Sequence, residues 1–301
     1  MFDCVIYRYS RFVILPNRRL LNLYLLIFLL CLGQQQSLAD ENLAIRFGVL
    51  SIAQPSRIFA KWQPFADYMS RQLEQPVEIV VPRGFGKMKD AIAKGEIDFF
   101  YINSFVFYRL KQEGKAIAIA QMQNIAGKTI SRSEVFVRRD SGIEKITDLK
   151  GKNIAFVSPM GAGGYMAPRA RLYNAGLESG VDIEEVFTKN LSNSIHGVLL
   201  GDYDAASMCG VNYKLMSAKI ETGELKVLTV SDEYPENIIG ARTGLSPKLI
   251  ADFRNTLLSI VDNPEGRELL NTMHSMKIKS FVAYDESMEE MTKDLIKAGH
   301  L

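Results

Sequence analysis

The sequence predicts a two-lobed α/β protein, each lobe a mainly parallel sheet flanked by helices, with two hinge crossings joining them. Three observations predict it. Apolar patterning alternates between strand and helix periods from Ala44 to Ile102, the same alternation restarts after Asp140, and no Pro-rich, Ser-rich or low-complexity stretch separates the two runs.

In the first run, Ala44 to Leu50 is β-rich and ends at a polar turn. Ile58, Trp62, Phe65, Tyr68, Met69 and Leu73 then fall at three- and four-residue spacings, which predicts a helix over 57–73. Val77 to Val81 is a second strand, 85–93 a second helix, and Ile97 to Ile102 a third strand. The aromatic cluster of Phe99, Phe100, Phe105, Phe107 and Tyr108 reads as core, with Tyr101 exposed. In the second run, 143–149 is a helical piece, 153–157 a strand and 165–174 a helix that Gly176 is placed to stop. A helix over 194–200, strands over 203–207 and 226–230, and helices near 246–261, 264–273 and 285–298 complete it. The candidate crossings are Glu134 to Arg138 and a return between Val230 and Arg242, after which the C-terminal helices pack on the first lobe.

Residues 1–39 read as a cleavable signal peptide. Arg8, Arg11, Arg18 and Arg19 precede an apolar run, Leu20 to Leu32, shorter than the roughly 20 residues a spanning helix needs; Ser37-Leu38-Ala39 offers small residues for cleavage after Ala39. The alternative is an uncleaved anchor. The expected organisation is a leader over 1–39, the first part of one lobe over 40–135, a second lobe over 136–232, and a return to the first over 233–301. Export implies a periplasmic protein. The whole chain carries 36 basic and 34 acidic side chains, a balance that argues against nucleic acid as partner. Cys4 and Cys31 fall in the leader, so Cys209 remains alone, without a disulfide, and reads as a buried small hydrophobe.

Four segments in order carry a resemblance. They are Phe47-Gly48-Val49 with Trp62-Gln63-Pro64-Phe65; Ala91 followed by Gly95-Glu96-Ile97-Asp98 and Tyr101; Val137 to Ile143 running into Asp148-Leu149-Lys150-Gly151-Lys152; and Gly201-Asp202-Tyr203-Asp204-Ala205-Ala206. Through them the chain resembles the phosphate, phosphite and phosphonate branch of the type II periplasmic binding proteins. The resemblance implies that two-lobed fold, a small, anionic solute captured between the lobes, and delivery to the membrane permease of an ABC transporter by a monomer without cofactor or catalytic activity. A sensor that docks on a membrane histidine kinase is the alternative, and an exported enzyme on the same fold is a third reading.

Ligands of open parallel sheets sit beyond the strand ends, where helix N-termini present unpaired amides. Three helix starts qualify: one capped by Ser104 after the Tyr101 strand, one capped by Ser192 or Asn193, and the loop Ser158 to Tyr165. Pro168 is tolerated only in a first helical turn, which puts that last start near Gly164. The amides of about 163–166 then face the cleft, and Gly161, Ala162, Gly163, Gly164 and Tyr165 become candidate ligand contacts. Tyr101, Asn103, Ser104, Asn193, Asn212 and Asn237 are the polar side chains expected nearby.

The pattern also departs from the family. Its loop hydroxyls are replaced by Gly161-Ala162-Gly163, its frequent tyrosine by Phe85, and its histidine position falls on Leu191; His196 lies five residues later, about 140° around a helix. Each change removes a polar group, so the ligand is expected to be less oxygen-rich than phosphate, or partly apolar. Enzyme motifs fail in detail. Gly127-Lys128-Thr129 lacks the leading glycine of a phosphate loop, Met166 stands where a dinucleotide fingerprint needs glycine, and G-x-S-x-G, H-E-x-x-H and C-x-x-C do not occur. His196, His274 and His300 show no metal-ligand spacing.

Overall fold

A computed structural model describes residues 44–50 and 55–301. The signal peptide read over 1–39 lies outside the described residues, as do Cys4 and Cys31. Residues 44–301 form one compact unit.

Along the chain, β1 (Ile45–Val49), α1 (Pro55–Leu73), β2 (Val77–Val80), α2 (Phe85–Ala93), β3 (Phe99–Ile102), α3 (Ser104–Gln112) and β4 (Ala116–Asn124) come first. Short β5 (Ile130–Ser131) leads into β6 (Ser133–Arg138), β7 (Lys152–Phe156), a π-type turn over Ala162–Met166, α4 (Ala167–Asn174), β8 (Ile183–Phe187), α5 (Leu191–Leu200), β9 (Ala205–Cys209), α6 (Gly210–Ser217) and β10 (Leu225–Val230). The chain then runs through β11 (Tyr234–Pro235), β12 (Ile238–Arg242), α7 (Pro247–Leu258), α8 (Pro264–Met273), β13 (Ile278–Val282) and α9 (Ser287–Ala298).

Two sheets result, in the orders β13-β4-β12-β3-β1-β2 and β10-β6-β9-β7-β8. Each has a parallel set at one edge, β3-β1-β2 in the first and β9-β7-β8 in the second, and the remaining pairings are antiparallel. The sheets are therefore mixed and not mainly parallel. The physical reason is the crossing: β12 arrives from the second sheet and inserts between β3 and β4 running against both.

Consecutive residues of a strand face opposite sides. Phe99 and Phe100 are both fully buried, so the first sheet is covered on both faces. Phe99 stacks on Phe253 of α7 at 3.8 Å between ring centroids, within a cluster that includes Phe47, Trp62 and Phe65. Phe100 packs on the other side with Met88, Val106 and Phe107, against Gly240, where a Cβ would come within 2.6 Å of the ring. At the far end of β3, Asp98 accepts from the Arg46 amide (2.9 Å), from Arg46 Nε and Nη2 (3.0 Å each) and from Arg242 Nε (3.1 Å). The closing aspartate of Gly95-Glu96-Ile97-Asp98 thus fastens β1, β3 and β12 together.

The crossing lies earlier than expected. Residues 134–138 belong to β6, paired with β9 and β10 inside the second sheet. The chain passes between sheets at β5 and returns at β11, and these two segments pair antiparallel with each other (Ile130 with Pro235, Ser131 with Tyr234). The C-terminal helices also divide. α7 and α8 pack on the first sheet, whereas α9 contacts α3, α4 and β11 at once. Lys111 of α3 pairs with Glu286 and Glu289 at one end of α9, and Arg169 of α4 donates to the Gly299 carbonyl at the other (2.8 Å). The helix expected near 285–298 is present as α9, but nothing in its sequence marks a face for each sheet.

Candidate functional site

The strand ends of the two sheets meet around β5 and β11. From the first sheet, β3 presents Tyr101 and runs into Asn103. The Asn103 side chain caps α3 by accepting from the Val106 amide (3.0 Å), and its Nδ2 donates across the junction to the Met160 carbonyl (3.0 Å). Asn103 is therefore the cap that the sequence assigned to Ser104. Ser104 begins the helix itself, buried, with its hydroxyl donating to the Pro235 carbonyl at 3.1 Å.

From the second sheet comes the glycine loop. Gly161 begins the π-type turn and its carbonyl takes both the Tyr165 amide (3.1 Å) and the Met166 amide (2.9 Å). The amides of Tyr165 and Met166, expected to be free, are therefore spent inside the turn. Those of Ala162, Gly163 and Gly164 have no hydrogen-bond partner among the described residues. Two serines hold the other edge: Ser133 donates to the Gly163 carbonyl, and Ser207 to that of Gly164 (3.2 Å). Pro168 sits in the first turn of α4, as its lack of an amide proton requires.

The close approach that Gly163 permits is made by Tyr234. A Cβ at 163 would stand 2.0 Å from the Tyr234 hydroxyl oxygen, whereas one at Gly164 would meet nothing nearer than the Val157 Cβ at 4.0 Å. Tyr234 is buried beside Cys209 and Glu236, and burial first, then these neighbours, push its hydroxyl well above the ordinary tyrosine range. Tyr101 is shifted in the same direction by burial and then Glu236, with the Asn237 side chain beside it opposing the shift. Its ring lies 4.8 Å from that of Trp62, and its hydroxyl donates to the Met122 sulfur at 2.7 Å. Glu236 is buried and accepts from Asn124 Nδ2 (2.9 Å) and from the Ser131 hydroxyl.

Asn212, on the first turn of α6, accepts from Lys277 Nζ, which comes from the first sheet just ahead of β13. Lys277 also lies near Cys209 and Glu236, and burial holds its ammonium below the usual lysine range. Tyr101, Asn103, Ser104, Gly163, Asn212 and Asn237 are thus drawn to one junction. Asn193, Tyr165 and Phe85 lie apart from it. Asn193 is exposed on α5, whose cap is Asn190, accepting from the Asn193 amide at 2.8 Å; neither Ser192 nor Asn193 caps it. The Tyr165 ring is buried in the second sheet's core beside Phe156, with its hydroxyl donating to Glu185 (2.8 Å) and accepting from Arg169. Phe85 opens α2 behind Gly84 (φ 91°) and packs on the first sheet's Met88 cluster. His196 is exposed.

Lys277, Tyr234, Glu236 and Cys209 were not legible as site residues. Cys209, expected to be a buried hydrophobe, is partly exposed at the end of β9. A single lysine after a helix carries no spacing signal. The one available hint was that Tyr234-Pro235-Glu236 lies on the return crossing, where both sheets must be close.

Comparison with known proteins places this geometry. Over 145 residues the chain is 29% identical to the tetrathionate sensor histidine kinase TtrS of Salmonella typhimurium, covering 47% of this chain and 24% of that protein. It is 23% identical over 212 residues to the phosphate-import protein PhnD of Mycolicibacterium smegmatis, covering 65% of each. The chain therefore spans about a quarter of the length of one curated relative and just under two thirds of the other. Among solved structures, XAC2383 from Xanthomonas citri bound to chloride ion superposes with a TM-score of 0.76 at 18% identity, over 85% of this chain and 97% of that one, which shows the shared fold. Residues 47–288 match the family profile described as "ABC transporter, phosphonate, periplasmic substrate-binding protein", and on that match the chain belongs to the periplasmic substrate-binding proteins of phosphonate-type ABC transporters.

Proposed function

We propose that this protein is a periplasmic receptor that captures a small anionic solute where its two sheets meet and presents it to the permease of an ABC transporter. The observation that carries the reading is that Lys277 and Tyr234, which lies against Gly163, share the neighbours Cys209 and Glu236, while the loop amides Ala162 to Gly164 beside Tyr234 have no partner among the described residues. Amides at a helix start and a half-buried cation both favour negative charge. The hydroxyl groups at the junction are mostly engaged within the protein. The Tyr101 and Ser104 hydroxyls are engaged by Met122 and Pro235, so a ligand demanding as many hydroxyl donors as phosphate is poorly matched. No catalytic step is part of the proposal, and export through residues 1–39 belongs to it.

The test is a thermal-shift and calorimetric screen of the purified protein against inorganic phosphate, methylphosphonate, tetrathionate and neutral solutes such as glycerol and glucose. A specific anion raises the melting temperature by mass action. A response to a neutral solute and to none of the anions would sink the reading.

A sensory role is favoured by the 29% identity to the tetrathionate sensor kinase. Affinity purification from membranes with the solute present separates the roles: recovery of a permease supports transport, and recovery of a histidine kinase supports sensing.

A further inference from the structure

Among the partly buried lysines of the described residues, Lys277 alone has no carboxylate partner, and most partly buried arginines are paired too. Arg169 is paired with Glu185, Arg46 and Arg242 share Asp98, and Lys111 holds Glu286 and Glu289. Lys277 makes no ion pair with any described carboxylate, and its hydrogen-bond acceptor is the neutral amide oxygen of Asn212. Glu236, the nearest carboxylate influence, is already engaged by Asn124 and Ser131. A cation withdrawn from water without a counter-charge is unfavourable. The backbone compounds this: Lys277 has φ 67°, a left-handed conformation that a lysine adopts only at a cost. Neither the local chain nor the local packing asks for lysine here.

The contact also spans the two sheets. Lys277 sits just before β13 of the first, and Asn212 lies on α6, directly after β9 of the second. A carboxamide presents an acceptor and two donors from one rigid group. With an oxyanion between them, Nζ would pair with one oxygen and the Asn212 Nδ2 would donate to another.

Resting on the anion-receptor reading above, we propose that Lys277 supplies the ligand's counter-charge and that Asn212 holds its place while the site is empty. The ligand class is a small oxyanion of the carboxylate, sulfonate or phosphonate kind, gripped by one residue from each sheet.

The experiment uses the purified protein with phosphate, methylphosphonate and tetrathionate as probes, and compares the parent with Lys277→Met and Asn212→Asp. Lys277→Met deletes the cation and keeps the stem. It should weaken binding of the responding anion at least tenfold, about 1.4 kcal/mol, while leaving the ligand-free melting temperature unchanged or higher. Asn212→Asp places a carboxylate where the ligand's charge would sit. It should raise the ligand-free melting temperature and also weaken the anion at least tenfold. If Lys277→Met fails to fold, Asn212→Asp still decides. An anion that binds the parent and both variants with the same affinity, or an Asn212→Asp protein less stable than the parent, overturns the role of Lys277 and leaves the receptor reading standing. Binding of no anion by the parent overturns both.

Discussion

Asn103 and Met160 are joined by a hydrogen bond from the Asn103 Nδ2 to the Met160 carbonyl at 3.0 Å, and the same side chain caps α3 through the Val106 amide at 3.0 Å. One residue therefore starts a helix on the first sheet and holds the glycine loop of the second. Asn103→Ala removes both contacts and should cost about 1–2 kcal/mol of unfolding free energy. Asn103→Asp keeps an oxygen for the cap and loses only the donation to Met160, so its loss should be the smaller. Urea denaturation of the three proteins checks the order. Equal losses would show that the bridge to Met160 adds no stability.

The 2.0 Å that would separate a Cβ on residue 163 from the Tyr234 hydroxyl sets a second expectation. Gly163→Ala should destabilise by about 1–3 kcal/mol through overpacking. Gly164→Ala, with its nearest neighbour at 4.0 Å, should stay within about 0.5 kcal/mol of the parent. The Gly163→Ala cost should shrink in a Tyr234→Leu background, because residues in contact are not additive. A double-mutant cycle by chemical denaturation measures the coupling; a coupling of zero would place the strain elsewhere.

Leu295 of α9 is buried in a cluster with Phe105 of α3, Met166 of the glycine turn and Tyr234 of β11. Leu295→Ala leaves a cavity that elements of both sheets surround, and should cost about 2–5 kcal/mol. Because α9 fastens both sides, unfolding should remain a single transition with a lower midpoint. Two resolved transitions in calorimetry would show that α9 stabilises only one sheet.

Tyr165 sets an alkaline limit. Burial first, and then the Glu185 carboxylate, push its hydroxyl up to about 12. In the unfolded chain a tyrosine ionises near 10. Between roughly pH 10 and 12 the unfolded state therefore holds fewer protons than the folded one, and stability falls as pH rises. Below pH 10 both states are neutral and the group has no effect on the slope. Tyr165→Phe should flatten the decline in that window relative to the parent, measured as melting temperature against pH. Parallel curves would mean that Tyr165 titrates normally in the fold.

Much of the fold was legible because its signals are local. The apolar spacing of Ile58, Trp62, Phe65 and Met69 is a helix period, and those side chains are buried in α1. The helix over 264–273 coincides with α8, and Pro168 marks the first turn of α4. Strands such as β4 and β13 escaped notice. β4, Ala116 to Asn124, carries small and polar residues whose burial depends on partners β12 and β13 more than 100 residues away.

What the sequence by itself determined is the α/β alternation, the aromatic core around Phe99 and Phe100, and the glycine loop at 161–164, since each follows from neighbouring residues and the periods of helix and strand. Tertiary structure alone decided which polar groups share the junction. It brings Lys277 to Asn212 and Gly163 to Tyr234, pairs 65 and 71 positions apart by their numbering, and it engages Tyr165 with Glu185 away from the junction. Such meetings depend on where β5 and β11 fold one sheet against the other, and a long-range contact leaves no period in the chain for a local pattern to reveal.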